Sequence, residues 1–458
     1  MTDATPGLRE VFAGQRGRLL SGLLLAEFAA AVQIVAYSTV LPLASHELHG
    51  ESLYGATLAS GSIAAILILA LGPRLTERLS LGGALIVATV LYLIGVALAA
   101  VAPTMAFVFV GSIVQGAASG IIASFSLTAI GSLFSDGARR RVIGLFSFMW
   151  ILPSILGPIV NSVLAESVGW RWAMAWPAVV VIVSRLLVGR YTRIIPKQEK
   201  TAASFGFSLV GLLLVGFALS SWAPYAPQIL IVPATIVGML LAMVACLLVI
   251  GRLVGPGRGR ILTAVALLAV TLSFFGGEGI VPLSAVELAH TGVIGASVTY
   301  GAGAVAWSVM GLRSGRARVF GLPAAPIGVI GIAVGILIEL AASLSPAGDG
   351  VAVAMVIGWA IAGIGMGLAY PIVTSRPLDD LAATSVAAVA TGVAFAETAG
   401  AALGTLLGGG TFSSGTALGF APSQVIPFAF GLLVVASIVA TALTARSSAA
   451  RLPQVPPA

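Results

Sequence analysis

The sequence predicts an all-α integral membrane protein built as two six-helix bundles with two extra central helices, 14 spans in all, and both termini cytoplasmic. Composition, the spacing of apolar runs and the placing of basic residues predict it. Of 458 residues, 59% are hydrophobic and only 9% are charged, against about 25% charged in a soluble domain. That excludes a water-soluble enzyme. A spanning helix takes about 20 apolar residues, so 14 of them use roughly 280 and leave room only for loops and tails. The 23 Lys and Arg against 16 Asp and Glu lie in small groups between apolar runs. Loops beside an anionic leaflet explain this better than a nucleic-acid surface does.

The elements follow from run length. A cytoplasmic N-terminal tail, 1–18, precedes an apolar stretch too long for a signal-peptide core and without a convincing cleavage site, so it is expected to be an uncleaved first span. The N-terminal six-helix bundle, 19–190, has spans near 19–44, 53–72, 81–102, 105–134, 142–166 and 172–190. A cytoplasmic linker, 191–203, leads to two additional helices in 204–250, near 204–222 and 228–250, whose lengths favour full spans over a re-entrant hairpin. A second linker, 251–260, leads to the C-terminal bundle, 261–445, with spans near 261–285, 292–312, 319–343, 350–373, 382–408 and 422–445, and a cytoplasmic tail, 446–458, closes the chain.

Basic residues test the count, because Lys and Arg stay on the cytoplasmic side of short loops. With the N-terminus inside, Arg74 and Arg78, Arg139 to Arg141, Arg190 to Lys200, Arg252 to Arg260, Arg313 to Arg318, Arg376, Arg446 and Arg451 are all cytoplasmic. Only Arg171 falls outside, while Arg185 lies in the last turns of its span and can snorkel inward. Dropping one span would put half of the clusters on the wrong face. An internal repeat agrees with two halves: Gly72, Arg74 and Gly82 follow the second span of the first six at the same offsets as Gly311, Arg313 and Gly321 in the last six.

Four stretches carry more than packing. They are Tyr37-Ser38-Thr39-Val40-Leu41-Pro42 in span 1, Gly72-Pro73-Arg74-Leu75-Thr76-Glu77-Arg78 after span 2, Gln115-Gly116-Ala117-Ala118-Ser119-Gly120 in span 4, and Gly157-Pro158 in span 5 with Gly169-Trp170-Arg171-Trp172 after it. In this order they resemble the major facilitator superfamily, and within it the 14-span drug:proton antiporters. The resemblance covers nearly the whole chain and implies a major-facilitator fold. It implies a transporter of the cell inner membrane, exchanging protons for small molecules by alternating access, and gives Arg74, Glu77 and Arg78 the role of a cytoplasmic latch. Gly157 and Pro158 would seal the two faces during exchange. From the residues alone, Gly157-Pro158 favours a kink, and glycine pairs four apart, such as Gly116 and Gly120 or Gly363 and Gly367, favour close helix packing.

The departures matter too. Where the family's first span usually has an Asp, this chain has Gln33; where span 4 usually has an Arg, it has Ser112; and Glu397 stands where span 13 commonly carries an Arg. Standard coupling residues therefore do not carry over. Four acids fall inside predicted spans instead, Glu27, Glu278, Glu339 and Glu397, with no Lys or Arg at comparable depth. Ionisable groups there mark pathways or relays, and burial without a cation favours the protonated form of a carboxyl, as a proton carrier requires. Glu278 and Glu397 rank first as proton-coupling candidates. Glu278 lies in Phe274-Phe275-Gly276-Gly277-Glu278-Gly279, where the glycines would allow unwinding. Glu27 is near enough to the cytoplasmic end to snorkel, and Glu339 lies toward the outer end of its span.

Gln33, Tyr37, Gln115, Asn161 and Tyr300 could line a substrate cavity or simply bond a neighbouring helix. Trp150 and Trp307 could stack on a flat ligand or pack as apolar residues. His46, His49 and His290 are scattered on the outside, the one cysteine is Cys246, and no phosphate-cradling Gly-x-x-x-x-Gly-Lys motif occurs, so neither metal, cofactor nor ATP drive is expected. The sequence therefore points to proton-coupled export of hydrophobic or amphipathic small molecules (drugs, lipids or secondary metabolites) by a monomer in the lipid bilayer. Its partners are the substrate and protons, with no nucleic acid. An importer of a small metabolite, or a non-transporting receptor or scaffold on the same fold, remains an alternative.

Overall fold

The computed structural model describes residues 12–78, 81–133, 149, 152–153, 156–188, 207–255, 257–313, 318–319, 322–378 and 386–449. Within them the chain is helical. It has α1 (Gly14–Glu47), α2 (Tyr54–Arg78), α3 (Leu81–Ala100), α4 (Met105–Leu133), α5 (156–167), α6 (Trp170–Ala175) and α7 (Pro177–Val188). These are followed by α8 (Phe207–Trp222), α9 (Gln228–Val254), α10 (Arg258–Glu287), α11 (Gly292–Arg313), α12 (Ala324–Ser343) and α13 (Asp349–Ser375). The last are α14 (Val386–Thr405), α15 (Thr411–Ala417) and α16 (Pro422–Ala449), and a two-residue hairpin of Arg318–Val319 with Leu322–Pro323 precedes α12. Twelve stretches in the described residues are long and apolar enough to cross a membrane. Two further helical stretches, α5 and α14, lie where the fifth and thirteenth predicted spans were placed.

Helix ends depart from the predicted bounds for physical reasons. α1 has 34 residues, about 51 Å at 1.5 Å per residue, so its ends extend past an apolar core of about 30 Å. The extra turns carry exposed Arg16, Arg18, His46 and Glu47. α2 continues through Arg78, so the stretch expected as a loop after span 2 is helical. The sixth predicted span is two helices, interrupted at Trp176 just before Pro177, which has no N–H to donate. The thirteenth passes through a π turn, Leu406–Gly410, before α15. The glycines around Glu278 do not unwind the helix: α10 runs unbroken from Arg258 to Glu287.

The chain forms two compact units, residues 1–50 with 60–206, and residues 51–59 with 207–458. In the first, α1 packs on α7, and α3 on α4. In the second, α13 packs on α11 and α12, α10 on α14 and α16, and α8 on α9, which in turn meets α14. Glycine sets these approaches. A Cβ on Gly363 would strike the Gly303 backbone, one on Gly335 the Gly358 backbone and one on Gly404 the Leu272 carbonyl. The first turn of α2 joins the second unit in the same way: the Tyr54 hydroxyl donates to the Gly279 carbonyl at 2.9 Å, and the Gly55 N–H donates to Ser413 Oγ at 3.0 Å. In lipid no hydrophobic force draws helices together, so such van der Waals fit carries the association. Gly363→Leu is expected to overpack the α11–α13 contact and cost about 1–3 kcal/mol, read as a lower unfolding midpoint in detergent; an unchanged midpoint contradicts it.

Candidate functional site

The second unit holds three of the four acids, Glu278, Glu339 and Glu397. Glu278, two thirds of the way along α10, is buried, and the Tyr300 hydroxyl of α11 donates to its Oε1 at 2.5 Å. Its Oε2 is buried with no hydrogen-bond partner. On α14, Glu397 is half-buried and accepts from the Tyr370 hydroxyl of α13 at 2.6 Å. Each acid is thus met by a phenol on a neighbouring helix. A phenol can donate to a carboxylate or accept from a carboxylic acid, so it serves both protonation states.

Aromatic rings connect the two pairs. Phe274, one turn before Glu278, stacks on Trp359 at 4.8 Å and meets Trp307 edge-on at 5.3 Å. Phe275 also meets Trp307, which in turn contacts Tyr370 at 5.5 Å. Gly277 and Gly303 make this possible, since a Cβ on either would collide with the Trp359 ring. The glycines beside Glu278 therefore admit an indole rather than unwind the helix. Trp307 packs within a cluster of the protein's own aromatics.

Glu339 on α12 is fully buried next to the Trp359 backbone, and neither carboxyl oxygen has a hydrogen bond of acceptable geometry. Glu27 lies apart in the first unit, half-buried on α1. The polar candidates of that unit form bonded sets. Tyr92 donates to Gln33 Oε1 at 2.7 Å, Gln115 Nε2 donates to the Tyr37 hydroxyl at 3.2 Å, and Asn161 Nδ2 donates to Thr39 Oγ1 at 3.1 Å while its Oδ1 accepts from Trp176 Nε1 at 3.0 Å. Gln33 Nε2 and Gln115 Oε1 have no partner. Gly157 lets α5 approach Val35 of α1, where a Cβ would lie 2.7 Å from Val35 Cγ1, and Pro158 follows it near the start of α5.

Trp150 and the side chains of Arg74, Glu77 and Arg78 lie outside the described residues, and Gly72 is placed only as part of the α2 backbone. Arg171, the lone basic residue expected outside, is paired: its Nη1 reaches Glu47 at 2.7 Å, its Nη2 donates to the Ala102 carbonyl, and its guanidinium stacks on Trp170. His46, His49 and His290 are exposed, and no cluster of metal-ligating side chains occurs among the described residues. Sequence reasoning missed Tyr92, Trp176, Trp359 and Tyr370. Each acts through a partner on another helix, and no local pattern marks that.

Twelve stretches long and apolar enough to cross a membrane define an integral membrane protein. The profile of the Major Facilitator Superfamily matches residues 23–286, and the chain belongs to that family. It is 26% identical over 376 residues to a probable multidrug-efflux transporter of Mycobacterium tuberculosis, covering 75% of this chain and 76% of the relative. It is 24% identical over 192 residues to the multidrug efflux pump SdrM of Staphylococcus aureus, covering 42% of each. Among solved structures, a POT family transporter in complex with a thioalcohol-conjugated peptide aligns over 94% of this chain and 96% of its own, at TM-score 0.67 and 14% identity, a likeness of fold alone. The protein is a multi-pass membrane transporter with multidrug-efflux relatives.

Tyr370→Phe removes the donor to Glu397 and is expected to cost about 1 kcal/mol. Trp359→Ala empties the centre of the aromatic cluster and is expected to cost about 3–5 kcal/mol. Unfolding midpoints of the purified variants check both; equal losses would contradict the assignment.

Proposed function

We propose that the protein is a proton-coupled exporter of hydrophobic or amphipathic small molecules, with 14 spans, both termini cytoplasmic, in the cell inner membrane. The observation that carries this is Glu278: buried, held by Tyr300 through one oxygen, and without a partner on the other. Among the described residues, no Lys or Arg forms an ion pair with it. An acid without a permanent counter-ion in hydrocarbon favours gaining a proton over remaining charged. Such a group loads on one side and releases on the other only if its access alternates.

The family's rocking of two halves supplies that alternation. Substrate enters from the cytoplasm or the inner leaflet, and protons taken up from outside by Glu278 and Glu397 reset the carrier. Glu27 and Glu339 are subsidiary proton sites in this scheme. Trp307, with Tyr300 at its side of the unit, offers an aromatic wall, and Gln33, Tyr37, Gln115 and Asn161 offer hydrogen bonds to the substrate. The latch residues Arg74, Glu77 and Arg78, with Gly72, bias one conformation, and Gly157 and Pro158 help α5 close. Bilayer span count and orientation are supported by the basic-residue bias.

The test is transport of a fluorescent lipophilic cation, ethidium, into proteoliposomes with an imposed pH gradient. The wild type is expected to respond to the gradient, and Glu278→Gln and Glu397→Gln to fall to the rate measured without one. Rates indifferent to the gradient, or unchanged by both substitutions, would refute coupling; gradient-driven movement only toward the cytoplasmic face would make the protein an importer.

A further inference from the structure

A second polar anomaly lies in the first unit, on α7. Arg185 is in the last turn of α7, three residues before Val188, and its Nη2 reaches the Gly82 carbonyl at 3.5 Å, the limit of a hydrogen bond. Its Nη1 is buried with no partner. A guanidinium nitrogen removed from water and left unsatisfied costs more than a neutral group would, because the charge must also be compensated. Arg185 lies at the helix end where span meets headgroups, since Gly82 is the second residue of α3.

Arg185 lines a crevice between α1, α3, α4 and α7, walled by Leu23, Leu85, Ile122, Val181 and Val188. It holds about 300 Å³ free of protein atoms, counting its open side, of which about 20 Å³ admits the centre of a water molecule. Only an oxygen or two of an occupant therefore fits inside; the rest must lie at the mouth. The two hydroxyls in the wall have spent their protons within the protein, Ser184 on the Gly22 carbonyl and Thr89 on the Leu85 carbonyl, each at 2.7 Å. Among the described residues, no carboxylate lines the crevice. The guanidinium is thus the donor on offer, and its chemistry selects an anionic oxygen, best of all a phosphate that also accepts from a second N–H.

We propose that this crevice is a binding site for the phosphate of an anionic phospholipid in the leaflet beside the basic loops, with its glycerol and acyl chains along the apolar wall. A basic pocket between helices at headgroup level is the setting in which such recognition occurs. The inference is independent of proton coupling.

Native mass spectrometry of the full-length protein tests it, comparing phosphatidylglycerol with phosphatidylcholine of the same chains and adding inorganic phosphate as competitor. The wild type is expected to retain phosphatidylglycerol preferentially, and Arg185→Gln to need about tenfold more of it, the loss of one charge-assisted contact. Arg185→Lys keeps part of the preference. Ala26→Leu, which narrows the crevice without touching the charge, loses it as Arg185→Gln does, and Arg258→Gln, an exposed arginine elsewhere, keeps it. Equal retention by wild type and Arg185→Gln, full retention by Ala26→Leu, an equal loss in Arg258→Gln, or capture of inorganic phosphate without preference between lipids would each overturn the assignment.

Discussion

A polar group in hydrocarbon has no water to fall back on, and the interior of this protein is arranged around that constraint. Most hydroxyls of the long helices satisfy it locally: Thr271, Ser273, Ser437 and Thr444 each donate to a carbonyl three or four residues back along the same helix. Acids cannot do so, because a carboxylate only accepts and the helix carbonyls only accept. They must borrow a donor from another helix, and Tyr300 and Tyr370 are those donors. One oxygen of Glu278 is left without such a donor, and so are both oxygens of Glu339.

Packing answers the same constraint. Helices that must bring a phenol to an acid have to lie close, and glycine provides the clearance: Gly277 and Gly303 for the Trp359 ring, Gly335 for α13, Gly404 for α10. Arg171 satisfies its charge with Glu47, a carbonyl and an aromatic face. Arg185 has, among the described residues, only the Gly82 carbonyl at 3.5 Å, the observation behind the proposed lipid phosphate.

Helix positions, the acids and the small-residue pairs were legible in the amino-acid order because they are properties of one segment: a run of about 20 apolar residues, a charge within it, a spacing of four. Gly363 and Gly367 were readable as contact points, although which helix they meet was not. The partners were hidden. Tyr300 is 22 residues from Glu278 and Tyr370 is 27 from Glu397, and nothing in either stretch indicates that the two side chains face each other. The glycines around Glu278 show the ambiguity most clearly, since the same residues permit an unwound helix or a continuous one with a tryptophan laid against it. The interruption before Pro177 had its cause in view, whereas Leu406–Gly410, a π turn, read only as part of an apolar run.

Infrared difference spectroscopy of the purified protein between acid and alkaline pH reads the central claim directly, because the stretching band of a protonated carboxyl is resolved from that of a carboxylate. If Glu278 carries the exchanged proton, the wild type shows a protonated-carboxyl band that disappears in Glu278→Gln and shifts in Tyr300→Phe, which removes its one hydrogen-bond donor. A band identical in wild type and Glu278→Gln would contradict the account.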